Sequence, residues 1–264
     1  MTDLGPPAHD LPDVSPSDAP LQVLVPEVLA GLPGVVAGFS LRHGGVSEST
    51  FRSLNLGLSA GDDPELVLEN RRRLFRHAGL DPDRIAVAGQ VHGDRVKLID
   101  EAGLFPGFDA LVTVRRDITL CITAADCAVI LLADPDADVI GAVHSGWRGT
   151  TASIVPKTLR AMQALGASPA SIRAYISPCI SADYFEVGPE VAEQFDPAYV
   201  IHHHPRPHID LKAAIRDQLL ASGIRPAHIE TSPRCTFAET RDFFSYRAEG
   251  KTGRMMGFIS IKKG

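Results

Sequence analysis

Long apolar runs are missing from this chain. Nowhere do the roughly 18 consecutive apolar residues of a bilayer-spanning helix occur, so no membrane segment is expected. The opening MTDLGPPAHDLPDVSPSDAP also lacks the basic start and apolar stretch of a secretory signal, and offers acids and prolines instead. A cytoplasmic protein is the expectation, with residues 1–20 a disordered leader and 21–264 a single domain. Clustered positive charge is missing as well. The formal net charge is -6, and the basic side chains are dispersed, which removes the cationic footprint that nucleic acid requires. Cysteine is scarce: Cys121, Cys127, Cys179 and Cys235 are too few and too scattered for a disulfide framework, leaving at least one thiol free to ligate or react. Tryptophan occurs once, at Trp147, where packing is the default role and stacking on a base the alternative.

What is present suffices for a core, since 44% of the 264 residues are apolar. Pro64 at a first turn, with Val67, Leu68, Leu74 and Phe75 on one side, predicts a helix over 63–77. Further helices are expected at 151–165, 189–195 and 211–222, the last capped by Asp210. Short β-rich runs at 85–87, 95–99, 110–114, 118–123, 128–132 and 139–144 predict a mixed or antiparallel sheet. The closing FFSYR and GFISIKK read as strands, and SLRHGGVSESTFRSLNLG as a glycine-bearing loop.

Chemistry concentrates in TAADCAVILLADPDADVIGAVHSGWRGT and, upstream, GQVHGDRV. Cys127 stands at the entrance of a strand that is apolar on both faces. Alternation puts His144 on the face of Ala142 and Ile140, at the strand's end. If the two strands pair, Cys127 and His144 meet at one rim, and His92 approaches from a separate loop. A thiolate with two imidazoles suits zinc, and three ligands with an open fourth position suit a catalytic ion. The spacing alone leaves other readings open: a cysteine packed as a small hydrophobe, or Cys127 as a nucleophile with a histidine as its base. Asp126 either orients an imidazole or shapes a turn.

Taken in order, QVHGDRV, DALVT, TAADCAVILLAD, AVHSGWRGT and CTFAETRDFFSYRAEGKTGRMMGFI resemble the YfiH-like family, also called the laccase-domain, multicopper polyphenol oxidase or purine nucleoside phosphorylase family. SLRHGGVSESTFRSLNLG followed by GDDPELVLENRRRL matches its upstream signature. The chain departs from the family pattern in TAADC and at Ser177, before Pro178. The resemblance implies an α+β fold, a layered α/β/β/α sandwich with a mixed sheet core, and zinc on His92, Cys127 and His144. It implies a purine nucleoside and phosphate as substrates: phosphorolysis of adenosine, inosine and methylthioadenosine, and deamination of adenosine. Arg42 and Arg148, each beside glycine, are the candidates for holding phosphate, Arg42 with a catalytic part, and Asn55 and Gln90 those for reading a purine or ribose edge. Rival activities under the same resemblance are an editing hydrolase acting on an amide of a peptidoglycan precursor, and a copper polyphenol oxidase. A multicopper centre needs roughly ten histidine ligands in paired motifs; the chain has ten in all, and His9, His77 and His228 lie in unrelated contexts. The cluster from His202 to His208 reads as a solvated loop. The oligomeric state is left open.

Overall fold

The computed structural model describes residues 19–202 and 205–262. Most of the leader, His9 included, and two histidines of the 202–208 cluster lie outside the described residues. In chain order the first strands are β1 (Val23–Leu24), β2 (Val35–Ser40), β3 (Ile85–Gly89), β4 (Val96–Leu98), β5 (Gly103–Pro106), β6 (Ala110–Thr113) and β7 (Thr119–Ala124). There follow β8 (Ala128–Asp134), β9 (Val139–Ser145), β10 (Arg173–Ile176), β11 (Val200–Ile201), β12 (His208–Ile209), β13 (Ile229–Thr231) and β14 (Met255–Ile261). The helices are α1 (Pro64–His77), α2 (Trp147–Thr151), α3 (Ile154–Ala164), α4 (Pro189–Ala192), α5 (Leu211–Ala221) and α6 (Tyr246–Glu249). No helix is long and apolar enough to cross a membrane among the described residues.

Two six-stranded sheets carry the fold, ordered β1-β2-β14-β7-β3-β5 and β13-β10-β8-β9-β6-β4. Each contains parallel and antiparallel pairs. The sheets face one another through one side of β8 and β9. Val129, Leu131, Ala133, Ile140 and Ala142 pack there against Phe39, Leu120, Ile122 and Ile259. The opposite side, with Ala128, Ile130, Leu132, Val139 and Val143, is covered by α3 and α5 through Ile154, Leu159, Met162, Ile215 and Leu219. On the far side of the first sheet, α1 lays Leu74 and Phe75 on Val87, Cys121 and Phe258. Four layers result, α/β/β/α, as the resemblance implied. Both faces of β8 are buried, which is why its sequence is a continuous apolar run rather than an alternating one. Each such side chain taken from water contributes roughly 1.5–3 kcal/mol.

Local signals set most element ends. Asp63 Oδ1 accepts from the Glu65 N–H at 2.9 Å ahead of α1, and Asp210 Oδ1 from the Ala213 N–H at 2.9 Å ahead of α5. Three expectations change. The helix expected at 151–165 starts earlier, as α2, and is broken before α3 by Ser153, whose φ of +61° lies in the left-handed region. The helix expected at 189–195 is the four-residue α4. FFSYR is not a strand: Phe243 and Phe244 are core residues on irregular backbone, and Ser245 caps α6 by accepting from the Ala248 N–H.

Candidate functional site

The β8–β9 pairing sets Ala128 opposite Ser145 and Val129 opposite His144. Cys127, one residue before β8, therefore lies beside Gly146, one residue after β9. A Cβ on Gly146 would come within 2.7 Å of Cys127 Sγ and 3.7 Å of His92 Cδ2, so the thiol occupies the space a side chain would need. His92 arrives from the loop between β3 and β4, with a φ of +59°. A non-glycine residue in that region needs support from its surroundings. Asp109 supplies it.

Asp109 directly precedes β6 and is fully buried. Its Oδ1 accepts from the His92 N–H at 2.9 Å and from His144 Nδ1 at 2.8 Å; its Oδ2 accepts from the Val91 and Gly93 N–H groups at 3.1 and 2.8 Å. One carboxylate thus fixes the loop carrying one imidazole and the ring of the other. Because Nδ1 of His144 is engaged, Nε2 is left to act. The donor atoms of His92, Cys127 and His144 all lie within 4.8 Å of one another, and the two rings meet at 78° with centroids 4.9 Å apart. Two imidazoles and a thiol so gathered, backed by a carboxylate on one ring, form a donor set that fits a transition-metal ion.

Electrostatics favour a charged thiolate. Burial pushes the Cys127 thiol up, but the charge and hydrogen bond of His144 and the hydrogen bond of His92 outweigh it and bring it to about 6. Burial opposes charge on His144 too, yet the Cys127 thiolate and the Asp109 carboxylate raise it to about 9. Asp109 itself would be pushed up by burial; His144 and the loop N–H groups hold it below the ordinary carboxylate range. By contrast, burial drives Cys121 and Cys179 up to about 12. In metal-stripped protein, iodoacetamide is therefore expected to alkylate Cys127 first, with a rate that rises with pH through about 6 and then levels, because the thiolate is the nucleophile. Peptide mapping checks this; early labelling of Cys121 or Cys179 would contradict it.

Gly146 gives a second prediction. With Gly146→Ala, either the new methyl or Sγ must move, and metal affinity is expected to fall roughly 10–100-fold, as for other changes that misplace a ligand. Competition against a chromophoric chelator measures it. Unchanged affinity would mean the thiol has room to yield.

The three donors open on a cavity of about 580 Å³. Gln90 lines it, but its amide is bound to β7: Nε2 donates to the Thr123 carbonyl at 2.7 Å, while Oε1 accepts from the Thr123 N–H and Oγ1, each at 2.9 Å. Three arginines also line it: Arg71, Arg247 and Arg254. Burial lowers the pKa of both Arg71 and Arg254, so each is a partly desolvated cation; Cys127 and Asp126 push that of Arg254 back up. Arg71 donates through Nε and Nη2 to the Leu56 carbonyl, and Arg254 through Nη1 to those of Thr252 and Gly253. The Tyr246 ring, 61% exposed, stands at the same cavity.

Of the other sequence candidates, Arg42, Arg148 and Asn55 lie outside this lining and Asp126 is part of it. Arg42 is buried, its Nε and Nη1 donating to the carbonyls of Arg52, Thr240 and Phe243 and its Nη1 pairing with Glu249 at 2.9 Å. It ties the 42–53 loop to the segment before α6, and with these donors taken and no place in the cavity lining it is not positioned to hold phosphate there. Arg148 is exposed on α2, lying over the Trp147 ring at 4.2 Å. Asn55 is fully buried; its Oδ1 accepts from the Gly57 and Arg254 N–H groups and its Nδ2 donates to Asp62, so it braces Arg254 from behind. Asp126 does not orient an imidazole. Its carboxylate accepts from Thr236 Oγ1, Ser245 Oγ and the Arg247 N–H, joining the Cys127 turn to α6.

The family described as multi-copper polyphenol oxidoreductase laccase matches residues 36–262. A purine nucleoside phosphorylase of Corynebacterium glutamicum is 40% identical over 233 residues, 85% of this chain and 94% of the relative. One of Deinococcus radiodurans is 41% identical over 230 residues, 85% of this chain and 88% of the relative. Among solved structures, the hypothetical protein YfiH of Bacillus licheniformis superposes with a TM-score of 0.87 at 32% identity, covering 93% of this chain and 98% of that one.

Proposed function

The chain belongs to the YfiH-like laccase-domain family, and from that premise we propose that it is a zinc-dependent purine nucleoside enzyme, carrying out phosphorolysis of adenosine, inosine and methylthioadenosine and deamination of adenosine. The observation that carries this reading is a single cavity lined both by a two-imidazole, one-thiol donor set and by three guanidinium groups. His92, Cys127 and His144 would hold the zinc, which when bound supplies Lewis acidity and lowers the pKa of water toward neutrality. Asp109 keeps Nε2 of His144 available by occupying Nδ1.

Phosphorolysis joins a phosphate oxygen to ribose C1′ as the glycosidic C–N bond breaks, its electron pair passing to the purine. The chain's part is to hold the anion beside the sugar. Arg71 and Arg254 are suited to this because a desolvated guanidinium binds an oxyanion more strongly than one in water. Arg247 adds charge at the cavity, and the exposed Tyr246 face offers a stacking surface to the base. Deamination needs no phosphate and relies on the donor set.

The test is incubation of zinc-loaded protein with adenosine, with and without phosphate, followed by mass spectrometry. Adenine with ribose 1-phosphate, and inosine, are the expected products. Cleavage of a serine-containing peptidoglycan precursor with no turnover of nucleosides would overturn the reading in favour of the amide hydrolase, and phenol oxidation with a four-copper complement in favour of the oxidase.

The two reactions separate the anion group from the donors. Arg254→Gln removes a charge-assisted contact worth about 1.5–3 kcal/mol, so the KM for phosphate is expected to rise roughly tenfold to a hundredfold. Deamination and bound zinc should change little. Equal loss of both activities with zinc intact would move Arg254 from phosphate to the nucleoside.

A further inference from the structure

At the opposite end of β8 from Cys127 lies a second cavity, of about 450 Å³, between the β8–β9 turn, the 166–171 loop, the start of β10 and the 225–228 turn. It shares no lining residue with the first. Arg173 and Arg225 both line it, and among the described residues neither guanidinium donates a hydrogen bond or pairs with a carboxylate. That sets them apart from Arg84, Arg115, Arg116 and Arg234, each of which is spent on an aspartate or a glutamate. His228, 8% exposed, lines the same cavity. Its ring is bonded to the Ile172 backbone, and its Nδ1 is buried with no partner. Burial and then the charges of Arg173 and Arg225, which line the same cavity, push its pKa down.

The acids of this cavity do not neutralise that pair. Asp134 is buried and its carboxylate is saturated: it accepts from the N–H groups of Ser168, Asp136 and Ala137 at 2.6, 3.0 and 3.3 Å and from Ser171 Oγ at 2.8 Å. Asp136 is exposed at the rim. Two uncommitted guanidinium groups on separate elements match the charge and fork geometry of a phosphate. The volume exceeds what a bare ion fills and falls within the roughly 300–1,000 Å³ of small-molecule sites.

We propose that this second cavity binds a phosphate monoester, with Arg173 and Arg225 on the phosphate and Asp136 toward a hydroxyl-bearing body. The site is independent of the catalytic cavity and of the reading given for it.

The probe is ribose 5-phosphate, with inorganic phosphate and ribose as separate arms, titrated calorimetrically into full-length, zinc-loaded protein carrying Arg254→Gln to weaken phosphate binding in the first cavity. A saturable ribose 5-phosphate site is expected there. Adding Arg173→Gln with Arg225→Gln should weaken it roughly tenfold to a hundredfold. In the otherwise unaltered chain the same pair should leave adenosine turnover unchanged. No saturable site, or one untouched by the added pair, overturns the proposal; inorganic phosphate binding as tightly as ribose 5-phosphate overturns the monoester and leaves only an anion. Arg225→Gln alone, at an exposed position, is the control for folding: it should weaken binding with an unaltered melting temperature, and full retention of binding in it counts against the site.

Discussion

Cys127→Ala protein is expected to emerge from purification nearly free of zinc, and nucleoside turnover of both kinds should fall with the metal. Loss of an outer-shell partner typically weakens a metal site 10–100-fold, and the thiolate is the one soft member of the three proposed ligands, so its removal should exceed the upper end of about 100-fold. The fold should survive, since Cys127 lies outside β8 and only half-buried. Metal content by mass spectrometry and far-ultraviolet circular dichroism on one preparation decide the matter. Full zinc with activity lost would recast Cys127 as a nucleophile rather than a ligand. His144→Ala should behave like Cys127→Ala in both measurements.

Asp109→Ala is expected to damage stability and metal binding together. It leaves three loop N–H groups and the Nδ1 of a buried histidine without their acceptor. Removing one partner from such a buried charged group costs about 3–5 kcal/mol. At roughly 2–4 °C per kcal/mol for a chain of this size, the melting temperature should drop by on the order of 10 °C. Metal affinity should fall by about 10–100-fold, because the ring and the loop are no longer held. Asp109→Asn tells the two duties apart. An amide retaining its oxygen at the Oδ1 position still receives the His92 N–H and His144 Nδ1 but faces the Val91 and Gly93 N–H groups with a donor. Its metal affinity should therefore suffer less than that of Asp109→Ala. If the two substitutions prove equivalent, the negative charge rather than the hydrogen-bond geometry is what Asp109 provides.

Strands β3, β4, β6, β7, β8, β9 and β14 are legible because their signal is local, whereas β1, β2, β5, β10 and β13 carry too short or too mixed a pattern to be read. Ala128–Leu132 is apolar on both faces, and Val139–His144 ends on a polar residue just where a glycine turn begins, which led to a Cys127–His144 meeting point. Helix α1 was equally open to reading, through Asp63, Pro64 and an apolar side. What escaped depends on distant packing. Phe243 and Phe244 resemble a strand since burial, not backbone regularity, is what apolar residues report. Arg71 sits in the run Arg71-Arg72-Arg73, and only the rotation of α1 decides that the first turns inward while its neighbours face solvent. Arg42 was misleading for the converse reason: an arginine beside two glycines resembles an anion loop, and nothing near it in sequence reveals the carbonyls of residues 240 and 243 that take up its donors. Asp109, a lone acid before an apolar strand, carries no local mark of its four hydrogen bonds.

The strand pairing described for β8 and β9 also constrains how the chain can vary in length. Side chains alternate with a period of two, so deleting one residue within β8 while the far turn stays anchored would reverse the direction of every side chain on the site's side of the cut. Cys127 would then turn from Gly146 toward the opposite face, and the core would receive the wrong half of the strand. A residue added at the turn between Asp134 and Val139 leaves the pairing of Val129 with His144 untouched. A change of length that keeps this pairing is thus confined to that tip and excluded from the seven residues leading to it, which makes the length of β8, as much as the identity of its residues, a requirement of the site at its other end.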